Sequence, residues 1–296
     1  MSFATVVLAH RSPELALRLA DRLSPNPVLI HVDSAAPSHV WDAIATGTSR
    51  RAHVELLPRR RTAWASWELV EAATAGLERA LRRHPEVSHV LLLSGQDYPL
   101  VPAAQISQFL ASQAGQSFIP NWRLPSALWG ARGGMDRVRD FNFRVGGRRV
   151  RFRGARKTPP GLTLFGGSMY WILSREGGAD VLHNLRTRPD WTRFLSRSWI
   201  PDELAIPSVA LSGEMRSQVV NENLSLIQWS NPGSAHPDVL SLADVETLTA
   251  AASGPSSVGG NARIKLFARK MDETRSAELL DWIDHSLLGV EVTAGS

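Results

Sequence analysis

Val87-Ser88-His89-Val90-Leu91-Leu92-Leu93-Ser94-Gly95-Gln96-Asp97-Tyr98-Pro99 is the stretch on which the reading of this chain turns. Val87 to Leu93 is an apolar run of strand length, and Ser94 to Pro99 is a turn signal that stops it. Immediately upstream, Trp67 to Arg83 has helical spacing, with Leu69, Val70, Ala73, Leu77 and Leu81 on one face. Before that helix, Val54 to Leu57 reads as a strand. Further back the pattern repeats: Thr5 to Ala9 as a strand, Pro13 to Leu23 as a helix, and Pro27 to Val32 as a strand ending at Asp33. Strands alternating with helices predict parallel βαβ units, hence an α/β fold with a mostly parallel central sheet. In such sheets ligands sit beyond the carboxyl ends of the strands, where Asp33 and the 94–99 turn both fall.

Downstream the character changes. Trp122 to Pro160 has weak periodicity and carries Arg123, Arg132, Arg137, Arg139, Arg144, Arg148, Arg149, Arg151, Arg153, Arg156 and Lys157. It reads as a long basic excursion, either a solvated surface or a contact for an acidic acceptor or polyanion. Regular structure resumes with a strand over Leu162 to Leu173, helices from Ser174 and from Pro201, and a strand over Leu224 to Trp229. A loop over Ser230 to His236 and a last helix over Thr274 to Leu288 complete the map. Ala252 to Gly260, rich in Ser and Gly, reads as a mobile loop inside one domain, not a linker between two.

With 296 residues and 43% hydrophobic content the chain can bury a large core. Thirty-three basic against 28 acidic residues leave a formal charge of +5, a weak preference for anionic ligands. The absence of cysteine removes disulfides, thiolate zinc sites and cysteine nucleophiles, and is compatible with a cytoplasmic, reducing setting. The apolar run at the start is too short for a signal sequence and has no basic segment before it, and no segment has the length of a membrane span.

Common catalytic motifs are missing: no Gly-x-Ser-x-Gly, Walker loop, Gly-x-Gly-x-x-Gly or His-Glu-x-x-His. Nor is there an Asp-x-Asp, the paired carboxylate that holds a divalent metal against a diphosphate; Gln96-Asp97 offers one carboxylate only. Taken singly, Pro201-Asp202-Glu203 is a proline at a first turn with acids that complement the helix dipole. Phe267-Ala268-Arg269-Lys270 is a cationic patch, and Phe165-Gly166-Gly167-Ser168 a bulge in a strand.

Together, and in order, these stretches resemble a known family, the core-2/I-branching β-1,6-N-acetylglucosaminyltransferases with the peptide O-xylosyltransferases. The resemblance is carried by Leu29-Ile30-His31-Val32-Asp33, Trp64-Ala65-Ser66-Trp67, Leu93-Ser94-Gly95-Gln96-Asp97-Tyr98-Pro99-Leu100, Phe165-Gly166-Gly167-Ser168-Met169-Tyr170-Trp171, Pro201-Asp202-Glu203 and Leu266-Phe267-Ala268-Arg269-Lys270-Met271-Asp272. It implies a GT-A-like, Rossmann-type single domain, a UDP-sugar donor, inversion at the anomeric carbon, and no cofactor or metal. Residues 1–120 would form the nucleotide-sugar half, 121–273 the acceptor and catalytic half, and 274–296 a C-terminal helix. Glu203 matches the family's catalytic base. Asp33, Ser94, Gln96, Asp97, Arg269 and Lys270 fall where the donor binds, with Lys270 at the diphosphate. Trp67, Gly167, Ser168, Tyr170, Arg148 and Arg149 are the candidates for the acceptor, which would be a glycan, a peptide or a small molecule. Nucleic acid is not an expected partner. The chain departs from the family at Ser225, where a second phosphate-binding arginine is expected; Arg263, Lys265 and Arg269 are the candidates to replace it. It also lacks the cysteines in which the animal members are rich. Two other readings stay open: a non-catalytic polyanion-binding protein working through the arginine-rich stretch, and a hydrolase of nucleotide sugars with the same fold.

Overall fold

The computed structural model describes residues 2–145, 148–231, 234, 236–254 and 264–290. The N-terminal part runs β1 (Ser2–Ala9), α1 (Pro13–Leu23), β2 (Val28–Val32), α2 (Ser38–Thr48), β3 (Val54–Leu56), α3 (Trp67–Arg83), β4 (Val87–Ser94), β5 (Tyr98–Pro99) and α4 (Ala103–Ser112). The middle follows with β6 (Ser117–Phe118), β7 (Asn121–Arg123), α5 (Met135–Arg139), β8 (Phe141–Val145), β9 (Arg148–Phe152), β10 (Phe165–Gly167), β11 (Ile172–Ser174), α6 (Arg175–Thr187), α7 (Pro189–Ser196) and α8 (Ala205–Ala210). Last come β12 (Val219–Val220), β13 (Ser225–Ile227), α9 (Val245–Ser253), β14 (Phe267–Arg269) and α10 (Ala277–Ser286). The largest sheet has seven strands and is mostly parallel, so the chain is an α/β protein as expected.

Two compact units divide the chain: one made of 1–59, 93–113 and 223–296, the other of 60–92 and 114–222. In the first, β1 pairs in parallel with β2 (Thr5 opposite Val28, Ala9 opposite Val32) and β2 with β3. β2 is buried along its length and β1 from Phe3 onward, and α1 buries Leu15, Leu19 and Leu23, one leucine per turn. Full burial of each stabilises by about 1.5–3 kcal/mol relative to exposure. A smaller sheet in this unit sets β14 between β13, parallel, and β5, antiparallel. Behind it α10 is fastened by a buried carboxylate: Asp284 accepts from Arg18, Arg22 and the Tyr98 hydroxyl.

In the second unit β11 runs antiparallel between β4 and β6, and β6 pairs in parallel with β12. β10 leaves that sheet and pairs with β7 alone. The expected strand over 162–173 is therefore two strands, broken by a turn in which the Ser168 hydroxyl accepts from the Tyr170 N–H. The basic excursion is more ordered than its periodicity suggests. It holds α5 and the β8–β9 hairpin, in which Phe141 faces Phe152 and Phe143 faces Val150.

Other boundaries move by a few residues, and α2, α4, α7 and α9 join the predicted helices. The last helix is shorter than its apolar pattern, Ala277–Ser286. In the 252–260 stretch, Ala252 and Ser253 end α9, while 255–260 lie outside the described residues, as do 232, 233, 235 and Arg263. No helix among the described residues is long and apolar enough to cross a membrane.

Candidate active site

In the first unit the turn after β4 is built by its own polar side chains. Asp97 folds back so that Oδ2 accepts from the Ser94 N–H at 2.7 Å and the Ser94 hydroxyl at 2.5 Å. The Ser94 Oγ in turn accepts from the Gln96 N–H. Asp97 is 0% exposed, and its Oδ1 has no hydrogen-bond partner among the described residues. Such a carboxylate requires a cation, since burying an unpaired charge costs several kcal/mol. Arg269 supplies it, its Nη1 lying 3.2 Å from Oδ2 and 3.3 Å from the Ser94 Oγ.

Gln96 ties the turn to the end of β14. Its Nε2 donates to the Met271 carbonyl, its own carbonyl accepts from the Met271 N–H, and its Oε1 accepts from Arg11 at 3.0 Å. Between Arg269 and Met271 stands Lys270, whose N–H donates to the Asp238 carbonyl and whose carbonyl accepts from the Leu240 N–H. Loss of hydration, then Arg11 and Arg269, push its ammonium down. Asp33, just past β2, accepts from the Ala35 N–H on Oδ1, while Arg59 donates to its carbonyl and lies 4.8 Å over the Trp41 ring. The His10 imidazole is pushed down by loss of hydration, Arg11 and Lys270 and pulled up by Asp33, so one ring senses all three. Ser94, Gln96, Asp97, Arg269, Lys270 and Asp33 thus belong to one neighbourhood of the unit, with Arg11 added to it. Of the possible replacements for the missing arginine, Lys265 donates to the Asn223 carbonyl and Arg269, at the end of β14, donates to the Ser94 and Asp97 side chains of the turn.

In the second unit Glu203 lies on a 3-10 turn, Pro201–Glu203, rather than on the first turn of a helix; α8 begins after it. Ile200, just before it, has φ 55°. A β-branched side chain there is strained by about 1–3 kcal/mol, a departure that occurs chiefly at functional sites. The Glu203 side chain is 39% exposed, and Oε2 accepts from Arg137 Nη1 at 3.3 Å. Burial pushes the Glu203 carboxyl up, and Arg137 pulls it part of the way back. Beside it, burial and then the Glu203 charge push Asp202 up to about 7.

Around this carboxylate stands a frame of tryptophan and arginine. The Arg137 guanidinium lies 3.9 Å over Trp129, which meets Trp122 edge to face at 5.5 Å. The Arg137 carbonyl accepts from the Trp199 N–H. Trp199 meets Trp64 edge to face at 5.7 Å, and Arg149 lies 3.7 Å over Trp199 while donating to Asn142. A Cβ at Gly166 would meet Trp122 Nε1 at 2.5 Å and the Trp129 ring at 2.6 Å; one at Gly167 would meet the Pro120 carbonyl. Both glycines are required by close packing. Of the other acceptor candidates, Trp67 opens α3, which packs on the 201–203 turn, and Ser168 and Tyr170 form the turn after β10. Arg148 is exposed in the hairpin. Sequence reasoning missed Arg11, Arg137 and the tryptophan frame. Arg11 was within reach of the rule that picked out Asp33, since it too follows a strand end.

A cationic turn at the end of a strand, in one unit, and a part-buried carboxylate on a strained turn, in the other, are each of a kind that group-transfer enzymes use. Residues 4–250 match the family model described as "Branch: Core-2/I-Branching enzyme", and the chain belongs to that family of glycosyltransferases. Two solved structures are similar in part. One is a putative glucose-1-phosphate thymidylyltransferase from Bacillus anthracis in complex with a sucrose, 8% identical, covering 74% of this chain and 85% of that one, TM-score 0.38. The other is S. aureus TarS 1–349, 11% identical, covering 75% and 59%, TM-score 0.37. No curated protein matches the chain.

Proposed function

We propose that the chain is an inverting, metal-independent glycosyltransferase that moves a sugar, N-acetylglucosamine, xylose or similar, from a UDP-sugar to an acceptor hydroxyl. The observation that carries this reading is Glu203: an accessible carboxylate on a strained turn, raised by burial yet held by Arg137. Such a group accepts a proton from a hydroxyl within hydrogen-bond reach. In inverting transfer the acceptor oxygen attacks the anomeric carbon as the bond to the diphosphate breaks, and Glu203 takes the hydroxyl proton. Negative charge then grows on the leaving diphosphate. Lys270, crowded by Arg11 and Arg269, is a cation whose repulsion that charge relieves, so it stabilises the transition state more than the ground state. Arg269, fixed by Asp97, takes the part of the arginine that Ser225 lacks. The tryptophan frame offers the acceptor apolar faces, and Arg149 suits one that carries an acidic group.

The test is nucleotide release from a panel of nucleotide sugars, with and without a panel of hydroxyl acceptors. UDP release that rises with an acceptor, and that excess EDTA leaves nearly unchanged, is the expected result. Release indifferent to every acceptor would make the protein a nucleotide-sugar hydrolase, and activity lost to EDTA and restored by manganese would overturn metal independence.

A further inference from the structure

We infer that Arg137 is a positioning residue for Glu203, holding its carboxylate ionised and turned so that Oε1 is left for the acceptor hydroxyl. This rests on the reading of Glu203 as the base.

The geometry is specific. Arg137 is held from three sides: its guanidinium lies 3.9 Å over the Trp129 ring, its Nη1 donates to Glu203 Oε2 at 3.3 Å, and its carbonyl accepts from the Trp199 N–H at 2.8 Å. Trp129 is itself fixed by Trp122 and by the space that Gly166 leaves. A guanidinium stacked on a ring and locked at its backbone reaches the carboxylate with little loss of rotamer freedom, unlike a mobile surface arginine. Bonding to one carboxylate oxygen fixes the rotation of the group, and the second oxygen makes no hydrogen bond among the described residues. That arrangement suits a base, which must present a free lone pair in one direction.

Two influences act on Glu203: burial opposes its carboxylate and Arg137, from α5, favours it, while Asp202, next to it on the turn, is itself pushed up by burial and by the Glu203 charge. Of the elements packed on the turn, α8 carries no titratable side chain, and the acids of α3, Glu68, Glu71 and Glu78, are exposed. Without Arg137, burial acts unopposed to protonate Glu203, and a protonated carboxyl cannot take the acceptor's proton. An opposite charge at this distance moves a carboxyl by about one to three pH units.

The experiment is the pH dependence of kcat for Arg137→Met and Arg137→Lys, in the parent chain and in an Asp202→Asn background so that the neighbouring titration is removed. Arg137→Met is expected to shift the acid limb upward by about one unit or more, with turnover at pH 9 returning to within about tenfold of the parent. Arg137→Lys, which keeps the charge, is expected to keep the parental limb. Should Arg137→Met not fold, Arg137→Gln carries the same comparison. An unmoved limb in the neutral variant, whether or not turnover falls, overturns the inference; so does a lysine variant displaced as far as the methionine one. Glu203→Gln separates this from failure of the underlying reading. A nearly inactive Glu203→Gln with an unmoved limb in Arg137→Met removes only Arg137, whereas parental turnover in Glu203→Gln at every pH removes the base and the inference together.

Discussion

At the scale of single residues, Glu203 and Lys270 have measurable signatures that structural roles would not produce. Glu203→Gln keeps the side-chain volume and still accepts from Arg137, so donor affinity is expected to stay near that of the parent, and the melting temperature at neutral pH to be no lower, because a carboxylate opposed by burial is removed. Loss of a general base lowers turnover by roughly a hundredfold to ten-thousandfold. A folded variant retaining more than about a tenth of parental turnover would remove Glu203 from the chemistry. Lys270→Ala is expected to lose roughly two to three orders of magnitude, the range found when one preorganised charge stabiliser is deleted, and to bind UDP more weakly. Equal rates for variant and parent would make Lys270 a surface cation. The 94–97 turn was marked locally, by an apolar strand cut by turn residues, whereas Glu203 was picked out only by the resemblance that the motifs carry in order, since a proline-led acidic triplet by itself reads as an ordinary helix start. Arg137 was not, because its partner lies 66 residues away and nothing in Met135–Arg139 distinguishes it from ten other basic residues nearby.

At the scale of elements, β10 shows how packing fixes a site. Gly166→Ala places a methyl group against Trp122 and Trp129, whose rings have no flexible end to yield, and Gly167→Ala places one against the Pro120 backbone. Overpacking of this kind costs about 1–3 kcal/mol, a few degrees of melting temperature in a chain this long. Gly167→Ala is expected to cost more, because backbone gives way less than a ring. Gly166→Ala alone is expected to lower kcat beyond its effect on stability, since Trp129 backs Arg137. Equal kinetic losses in both variants, measured well below their melting points, would refute that coupling. The same elements explain where sequence reading ran out. The run from Leu162 to Leu173 is apolar enough for one strand, but β7 and β4 claim its two halves separately. The helix α2 buries only Val40, Ile44 and Thr48 and contains Gly47, a weak stripe that blends into its loops. By contrast α1 and α3 have the predicted bounds, because each carries a full apolar face.

At the scale of the molecule, two sets of carboxylates set opposite slopes in stability against pH. Asp202 titrates at about 7 folded and at about 3.9 in an unfolded chain. Between those values the folded state holds the extra proton, so stability falls as pH rises through the window and stays lowest above it, by on the order of 4 kcal/mol at most. Glu203, also raised, adds to the same slope. Asp284 works the other way. Although burial opposes it, Arg22, Tyr98 and Arg18 hold its carboxyl below the ordinary value, so its contribution is present above about pH 4 and lost as pH falls further. The melting temperature is expected to peak near pH 4–5 and to decline towards pH 8. Asp202→Asn is expected to flatten the decline above the peak and to melt several degrees higher than the parent at pH 8. A parental melting curve that is level between pH 5 and 8 would contradict the raised Asp202.

The fastening of α10 has a consequence for biosynthesis. Arg22 and the carboxylate that neutralises it are 262 residues apart, and the first unit draws on three separate stretches of chain. At roughly 5–20 residues per second, translation leaves Arg18, Arg22 and Tyr98 waiting for Asp284; for the two arginines the delay is roughly 15–50 s. The residues of the second unit, 60–92 and 114–222, are complete well before then. On the ribosome, therefore, the part of the chain that emerges first is among the last to reach its final packing. A nascent chain stopped short of α10 would expose two arginines and a tyrosine that the finished protein keeps paired.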